Sequence, residues 1–386
     1  MQSQAISGNT SGSTRLHYLD WLRVLAILGV FFFHAVHPFD LNDWHIKNAE
    51  LSMAVTVVLG LLFPWGLALF FMLADTGSWF ALRRRTAGQY AGERFRRLLI
   101  PYIAGVILLW PIMLYFEWRH LAVTGEWYGS FMQFVLLHRA GFSPMWFGEI
   151  GFHLWFLGFL LCFSLLGLPI FLWLKSKSGQ VFLARLARIC NLRGGILLLA
   201  LPLIAVRLVL HSIFPEEHDW ADFFSQMTFF VLGYLLYAHE GFAPAIKRDR
   251  WLLLAAALLS SAAWAILALT TENFNVEAPI RTARYALIWS VIMLNGWCWS
   301  TFMLSVGIRS LDFTNRRLEY AQAAALPFFL LHQPVIIAIA FYVVQWNAGI
   351  PIKLPVVVIS SFVVSLALYE FVIQRVRPLR ILFGMK

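Results

Sequence analysis

The stretch Asp20-Trp-Leu-Arg23-Val-Leu-Ala-Ile-Leu-Gly-Val-Phe-Phe-Phe-His34 decides how the chain is read. It is the first strongly apolar run, and it holds an arginine and a histidine. A charge at membrane depth is costly unless it faces protein, water or a partner. On a helix of 3.6 residues per turn, Arg23 and His34 point within roughly 20° of each other. At 1.5 Å rise per residue they stand about 16 Å apart along the axis. One face therefore carries a permanent cation near one end and a titratable base near the other. That face reads as the wall of a reaction channel. The plainer alternative is a snorkelling arginine with an interfacial histidine.

The rest of the chain fits a bilayer. Of its 386 residues, 60% are hydrophobic and 13% charged, with a mean hydropathy of +0.71. Average soluble chains are about a quarter charged. Apolar runs recur at a length of about twenty residues, which predicts an all-α, polytopic bundle of about ten transmembrane spans. The expected spans cover 18–37, 51–74, 98–116, 149–174 and 194–213. A sixth ends near 239, and the others cover 251–269, 284–306, 320–345 and 354–373. Pro64-Trp65-Gly66 is expected to bend the second. The segment 117–148 is aromatic and broken by Gly and Pro, and reads as an interfacial or re-entrant piece. The Ser/Gly-rich start, 1–17, reads as a disordered tail. The run after it lacks a small-residue cleavage site and is kept as a span.

The net charge of +10 points to basic loops, not to nucleic acid. Lys and Arg gather on alternate connections, and acidic residues on the others, around 39–50, 215–222 and 270–279. By the positive-inside pattern both termini are cytoplasmic. Cys162, Cys190 and Cys298 show neither metal spacing nor a disulfide framework, and no metal site is expected.

Histidine titrates near neutrality, so His34 is a candidate general base. Arg94 and Arg97, three apart at the start of the third span, are expected on one helical face and can grip phosphates. Glu149 and His153 are four apart and are expected to set a carboxylate beside an imidazole. The alternative is an interfacial belt of Trp, Phe and polar residues. His332 lies between Pro327 and Pro334, where a histidine can also bind a carbonyl freed by proline. Trp155 and Asp20 are further candidates. Asp75 at the end of the second span and Arg207 in the fifth have no assignable partner.

Several of these motifs together resemble the acyltransferase-3 family of integral membrane acyltransferases. Arg23 and His34 in the first span resemble its signature, and Arg94-Phe-Arg96-Arg97 resembles its R-x-x-R motif. Phe70-Phe71, Gly77-Ser-Trp-Phe, His153-Leu-Trp-Phe-Leu and Phe328-Phe-Leu-Leu-His332-Gln-Pro334 follow in the family's order. The likeness runs from about Leu19 to the end, which implies one transmembrane acyltransferase domain over 18–386. Within the family it resembles the branch that succinylates periplasmic glucans, which also has a Glu four residues before this His. Where the family usually has Ser-Gly after the Phe-Phe pair, Ala74-Asp75 stand here. The resemblance implies a multi-pass protein of the bacterial inner membrane. Its donor would be an acyl-CoA, succinyl-CoA or acetyl-CoA, taken from the cytoplasmic side. The acceptor would be a carbohydrate hydroxyl of the cell envelope. Arg23, His34, Arg94 and Arg97 would be functional positions. A different class remains open, a multi-span transporter or exporter of a glycan or anionic metabolite with these residues lining its path. A membrane scaffold would not need Arg23 and His34 on one face.

Overall fold

A computed structural model describes residues 16–138, 145–270 and 282–385. The described residues hold helices and no strand. Helix α1 spans His17–Val36 and runs into a 3-10 turn at His37–Phe39. Helix α2, Met53–Leu82, passes unbroken through Pro64 and reaches eight residues beyond its expected end. Asp75 is therefore inside it and not at its end. Then come α3 (Ala87–Arg94), a π-turn at Phe95–Leu99, α4 (Ile100–Leu108) and α5 (Trp110–Thr124). Short helices α6 (Phe131–Leu137) and α7 (Met145–Glu149) occupy the mixed aromatic segment. After a 3-10 turn at Phe152–Leu154 follow α8 (Trp155–Leu166), α9 (Leu168–Lys175) and α10 (Lys177–Cys190). Next are α11 (Ala200–His211), α12 (Trp220–Ala238), α13 (Phe242–Arg248) and α14 (Arg250–Leu269). The chain closes with α15 (Ala283–Ser310), α16 (Arg316–Val343), α17 (Ile350–Leu368) and α18 (Arg377–Leu382). The expected tail lies outside the described residues up to residue 15, and His17 already opens α1. The acidic loop expected over 270–279 lies outside them beyond Thr270.

Among the described residues, seven helices are long and apolar enough to cross a membrane, and nine if each of two bent pairs is one span. The expected ten is not reached by this measure. The fifth expected span, 194–213, is the shorter apolar helix Gly195–His211. The fourth and sixth are the bent pairs, broken by 43° and 103°. Pro169 at the start of α9 explains the first break, because proline leaves no N–H to continue the ladder.

Local chemistry sets the ends. Ser52 accepts from the Val55 N–H, and Asn315 from the Leu318 N–H. Thr86 with Gln89, and Ser130 with Gln133, form reciprocal capping boxes, satisfying donors that a helix start leaves open. Gly125, at φ 81°, closes α5.

Helix α2 is central. It packs along α12 and α15, while α1 lies against α2 and α16. Between spans, close approach depends on small residues. A Cβ on Gly233 would stand 2.3 Å from the Met72 carbonyl oxygen of α2. Gly233→Ala is expected to force α12 off α2 and destabilise by about 1–3 kcal/mol. A thermal melt of the detergent-solubilised protein checks this, since an unchanged midpoint is incompatible with that contact.

Candidate active site

Helix α1 carries two sites, one toward each end. At the later end, three imidazoles meet. The His34 and His332 rings stack at 5.2 Å, and His153 stands edge-on to His332 at 5.0 Å. His332 Nδ1 lies 2.6 Å from the Phe329 carbonyl oxygen. A carbonyl only accepts, so this nitrogen donates, and in the neutral ring Nε2 is left as an acceptor. His34 Nδ1 is 2.9 Å from that Nε2 and so donates to it. The His34 lone pair is thereby placed on its own Nε2. No protein group among the described residues hydrogen-bonds that atom, and His34 is only half-buried. His153 Nε2 donates to the carbonyls of Phe329 and Leu330, at 3.2 and 3.3 Å. Pro334 has no N–H to offer Leu330, four residues earlier, so the carbonyl freed by proline is taken by His153. The His153 Nδ1 is buried with no hydrogen-bond partner among the described residues.

At the earlier end, Arg23 turns into α2. Its guanidinium donates to Thr76 Oγ1 at 2.5 Å and to the Leu73 carbonyl at 3.1 and 3.3 Å. It also meets Asp20 at 3.3 Å, so Asp20 orients it. Arg94 reaches the next turn of α2, where its Nη2 donates to Ser78 Oγ at 3.1 Å. Ser78 in turn pairs with the Tyr90 hydroxyl at 2.8 Å, and Arg94 lies over the Tyr90 ring. Gly77 separates the two cations. A Cβ there would lie 3.7 Å from Arg94 Nη2 and 3.8 Å from Arg23 Nη2. Asp75, two residues before Gly77 on α2, is fully buried, with neither carboxylate oxygen hydrogen-bonded among the described residues.

Two expected pairings are absent. Arg97 does not share Arg94's face. The π-turn at Phe95–Leu99 widens the helix and turns Arg97 outward to Glu93, at 3.2 Å, which also binds Arg85 at 2.7 Å. Glu149 does not flank His153 either. It ends α7, and Gly151 at φ 100° and Phe152 at φ 49° then reverse the chain. No hydrogen bond or ion pair joins Glu149 to His153 among the described residues. Trp155 opens α8 and lies against the His218 ring at 4.5 Å, away from the imidazole trio. Arg207 has a partner after all. It pairs with Asp222 and lies 3.7 Å above the Trp289 ring, a structural clamp between α11, α12 and α15.

The loop after α1 folds over the His34 end. Lys47 Nζ binds Asp40 Oδ1 at 2.7 Å and the carbonyls of His37, Asp40 and Asn42. Lys353, between the last two expected spans, is buried and donates to Asn48 and the Val344 carbonyl. Burial alone would raise the Asp40 carboxyl, but His37 and Lys47 overcome it and hold the group below the ordinary carboxylate value. A depressed folded-state value stabilises the loop above the unfolded value of 3.8, and the gain is lost as pH falls through the folded one. Protection of 40–52 against hydrogen exchange, relative to the intrinsic rate at each pH, is expected to fall on acidification below that value. In Asp40→Asn it is expected to be low at neutral pH already. Protection in the wild type that ignores acid would contradict the Lys47 staple.

Residues that the sequence did not single out also reach this end. His45, Glu117 and Gln333 line up beside the trio. Their only local signal is that Gln333 follows His332.

Comparison with known proteins now bears on these observations. The acyltransferase-domain family (Acyl_transf_3) matches residues 16–370. A protein of Salmonella paratyphi A named glucans biosynthesis protein C is 22% identical over 387 residues, covering 96% of this chain and 95% of that protein. Proteins of the same name from Salmonella agona and Salmonella dublin show the same identity and coverage. No solved structure matches significantly.

Proposed function

Because this chain belongs to the acyltransferase-3 family, we propose that it moves a short acyl group, succinyl or acetyl, from an acyl-CoA to a hydroxyl of a cell-envelope glycan. The observation that carries the reading is the one helix, α1, with a guanidinium pair toward one end and a base-poised imidazole toward the other. The donor enters on the cytoplasmic face of the bacterial inner membrane. Arg23 and Arg94 supply the permanent positive charge that attracts the anionic donor to Gly77. The absence of a side chain there leaves a gap between them. The pantetheine arm is long and thin, comparable with the estimated 16 Å between Arg23 and His34. The glucan named in the distant relatives supports a saccharide acceptor.

The proton path follows from the tautomers. His34 Nε2 takes the proton of the acceptor hydroxyl as its oxygen attacks the thioester carbonyl. His332 fixes the Nδ1–H of His34, stabilising the imidazolium that forms. The tetrahedral intermediate collapses to the ester, and His34 returns the proton to the departing thiolate. Atoms and charge balance without a further reactant.

The test is mass spectrometry of envelope glycans with and without the chain, paired with labelled acyl-CoA in membranes. A mass increment of one acyl group that appears only with the chain is expected. Glycan or metabolite flux without any acyl increment would establish the transporter class instead.

A further inference from the structure

A second polar row stands at the His34 end, outside the proton path. Gln333, next to His332, is only 2% exposed. Its Nε2 donates to His45 Nε2 at 3.1 Å. That bond leaves the neutral His45 proton on Nδ1, 3.1 Å from Glu117 Oε2. Gln333 Oε1 is buried and lacks a hydrogen bond among the described residues, and Glu117 Oε2 is buried with the His45 imidazole beside it. A buried polar atom left unpaired is costly, so the row is built for donors that the protein does not itself supply.

The surroundings say which donors. The Trp44 ring lies 5.2 Å from His45, and the Phe152 ring 4.2 Å from it. Phe152 precedes His153, so the row adjoins the imidazole trio. The ring faces suit the apolar face of a pyranose, and Gln333 Oε1 with the second lone pairs of the Glu117 carboxylate suits its hydroxyls. Permanent cations are spent elsewhere. Lys47 is committed to Asp40 and three carbonyls. Arg119 is exposed, and its position two residues from Glu117 sets it on another face of α5. Among the described residues the Glu117 carboxylate faces the imidazoles of His45 and His120 and pairs with no permanent cation, so an anionic substituent beside it meets like charge in a poorly solvated place.

We propose that Gln333, His45 and Glu117, with the Trp44 ring, form the acceptor subsite and select an uncharged saccharide over an anionic one. This rests on the reading of the chain as a glycan acyltransferase.

The experiment uses the full chain in lipid nanodiscs with labelled acyl-CoA. The two acceptor probes are a neutral gluco-oligosaccharide and the uronic-acid oligosaccharide of the same length. The wild type is expected to prefer the neutral one. Glu117→Ala is expected to raise KM for it by about tenfold or more, the scale of a hydrogen bond to a charged group, with kcat changing less. Glu117→Gln keeps the shape and most of the hydrogen bonding, so it is expected to restore KM and increase relative use of the uronic-acid probe. An unchanged KM in Glu117→Ala, or equal use of both probes by the wild type, would overturn the subsite. A wild type that consumes acyl-CoA but acylates no saccharide would sink the glycan reading, and this inference with it. An active wild type with indifferent variants sinks the subsite alone.

Discussion

His34→Ala is expected to lower acyl transfer by two to four orders of magnitude, about what a positioned general base contributes. The loss follows from the tautomer chain. The Phe329 carbonyl sets His332, His332 sets His34, and the only imidazole nitrogen of that pair left to take a proton is His34 Nε2. His332→Ala removes the orienting partner and not the base, so a smaller loss is expected, with a changed pH profile of kcat. His37, one turn further on, meets Asp40 at 3.0 Å and takes no part in the chain. His37→Ala is expected to change kcat by less than about threefold, because His37 neither takes the proton nor orients the imidazole that does. Elution from a sizing column distinguishes a dead enzyme from an unfolded one. Full activity in folded His34→Ala would remove the base from the mechanism.

The second large effect is expected at the other end of α1. Arg94→Ala should raise KM for the acyl-CoA by about ten- to a hundredfold, the scale of charge-assisted hydrogen bonds. Arg97→Ala should change it by less than about threefold, because an exposed ion pair contributes little. Spacing treats the two arginines alike, and the π-turn separates them. Arg94 is drawn in by Ser78 and Tyr90, whereas Arg97 is spent on Glu93. Equal effects of the two substitutions, measured with labelled acyl-CoA at saturating acceptor, would mean that both lie on the donor path.

Much of the bundle is legible in the sequence because apolar length is a one-dimensional property. Ten apolar segments can be read off and found again as helices. Length cannot show how a segment ends, which is why α2 runs past Asp75 and why two spans are bent. The i and i+4 reasoning presumes an unbroken helix. It failed at Glu149 and His153, because Gly151 permits a left-handed backbone that ends the turn between them. His332 was singled out for its flanking prolines, yet the carbonyl released by Pro334 goes to His153. Contacts across the chain leave no periodic trace. Gln333 and His45 are 288 residues apart, and nothing near His45 announces that pairing. Asp75 was visible as a departure from the family pattern. Its complete burial inside α2 was not.

A cryo-EM map of the chain with a non-hydrolysable thioether analogue of the acyl-CoA tests the central claim most directly. The expected map has the nucleotide end at Arg23 and Arg94 and the acyl end reaching the imidazole trio. There, His34 Nε2 and the reacting carbon would be separated by about one hydroxyl group, each bracketing contact being about 3–3.5 Å. An analogue whose acyl end stops at the arginines, or lies on the lipid side of α1 away from His34, would contradict it.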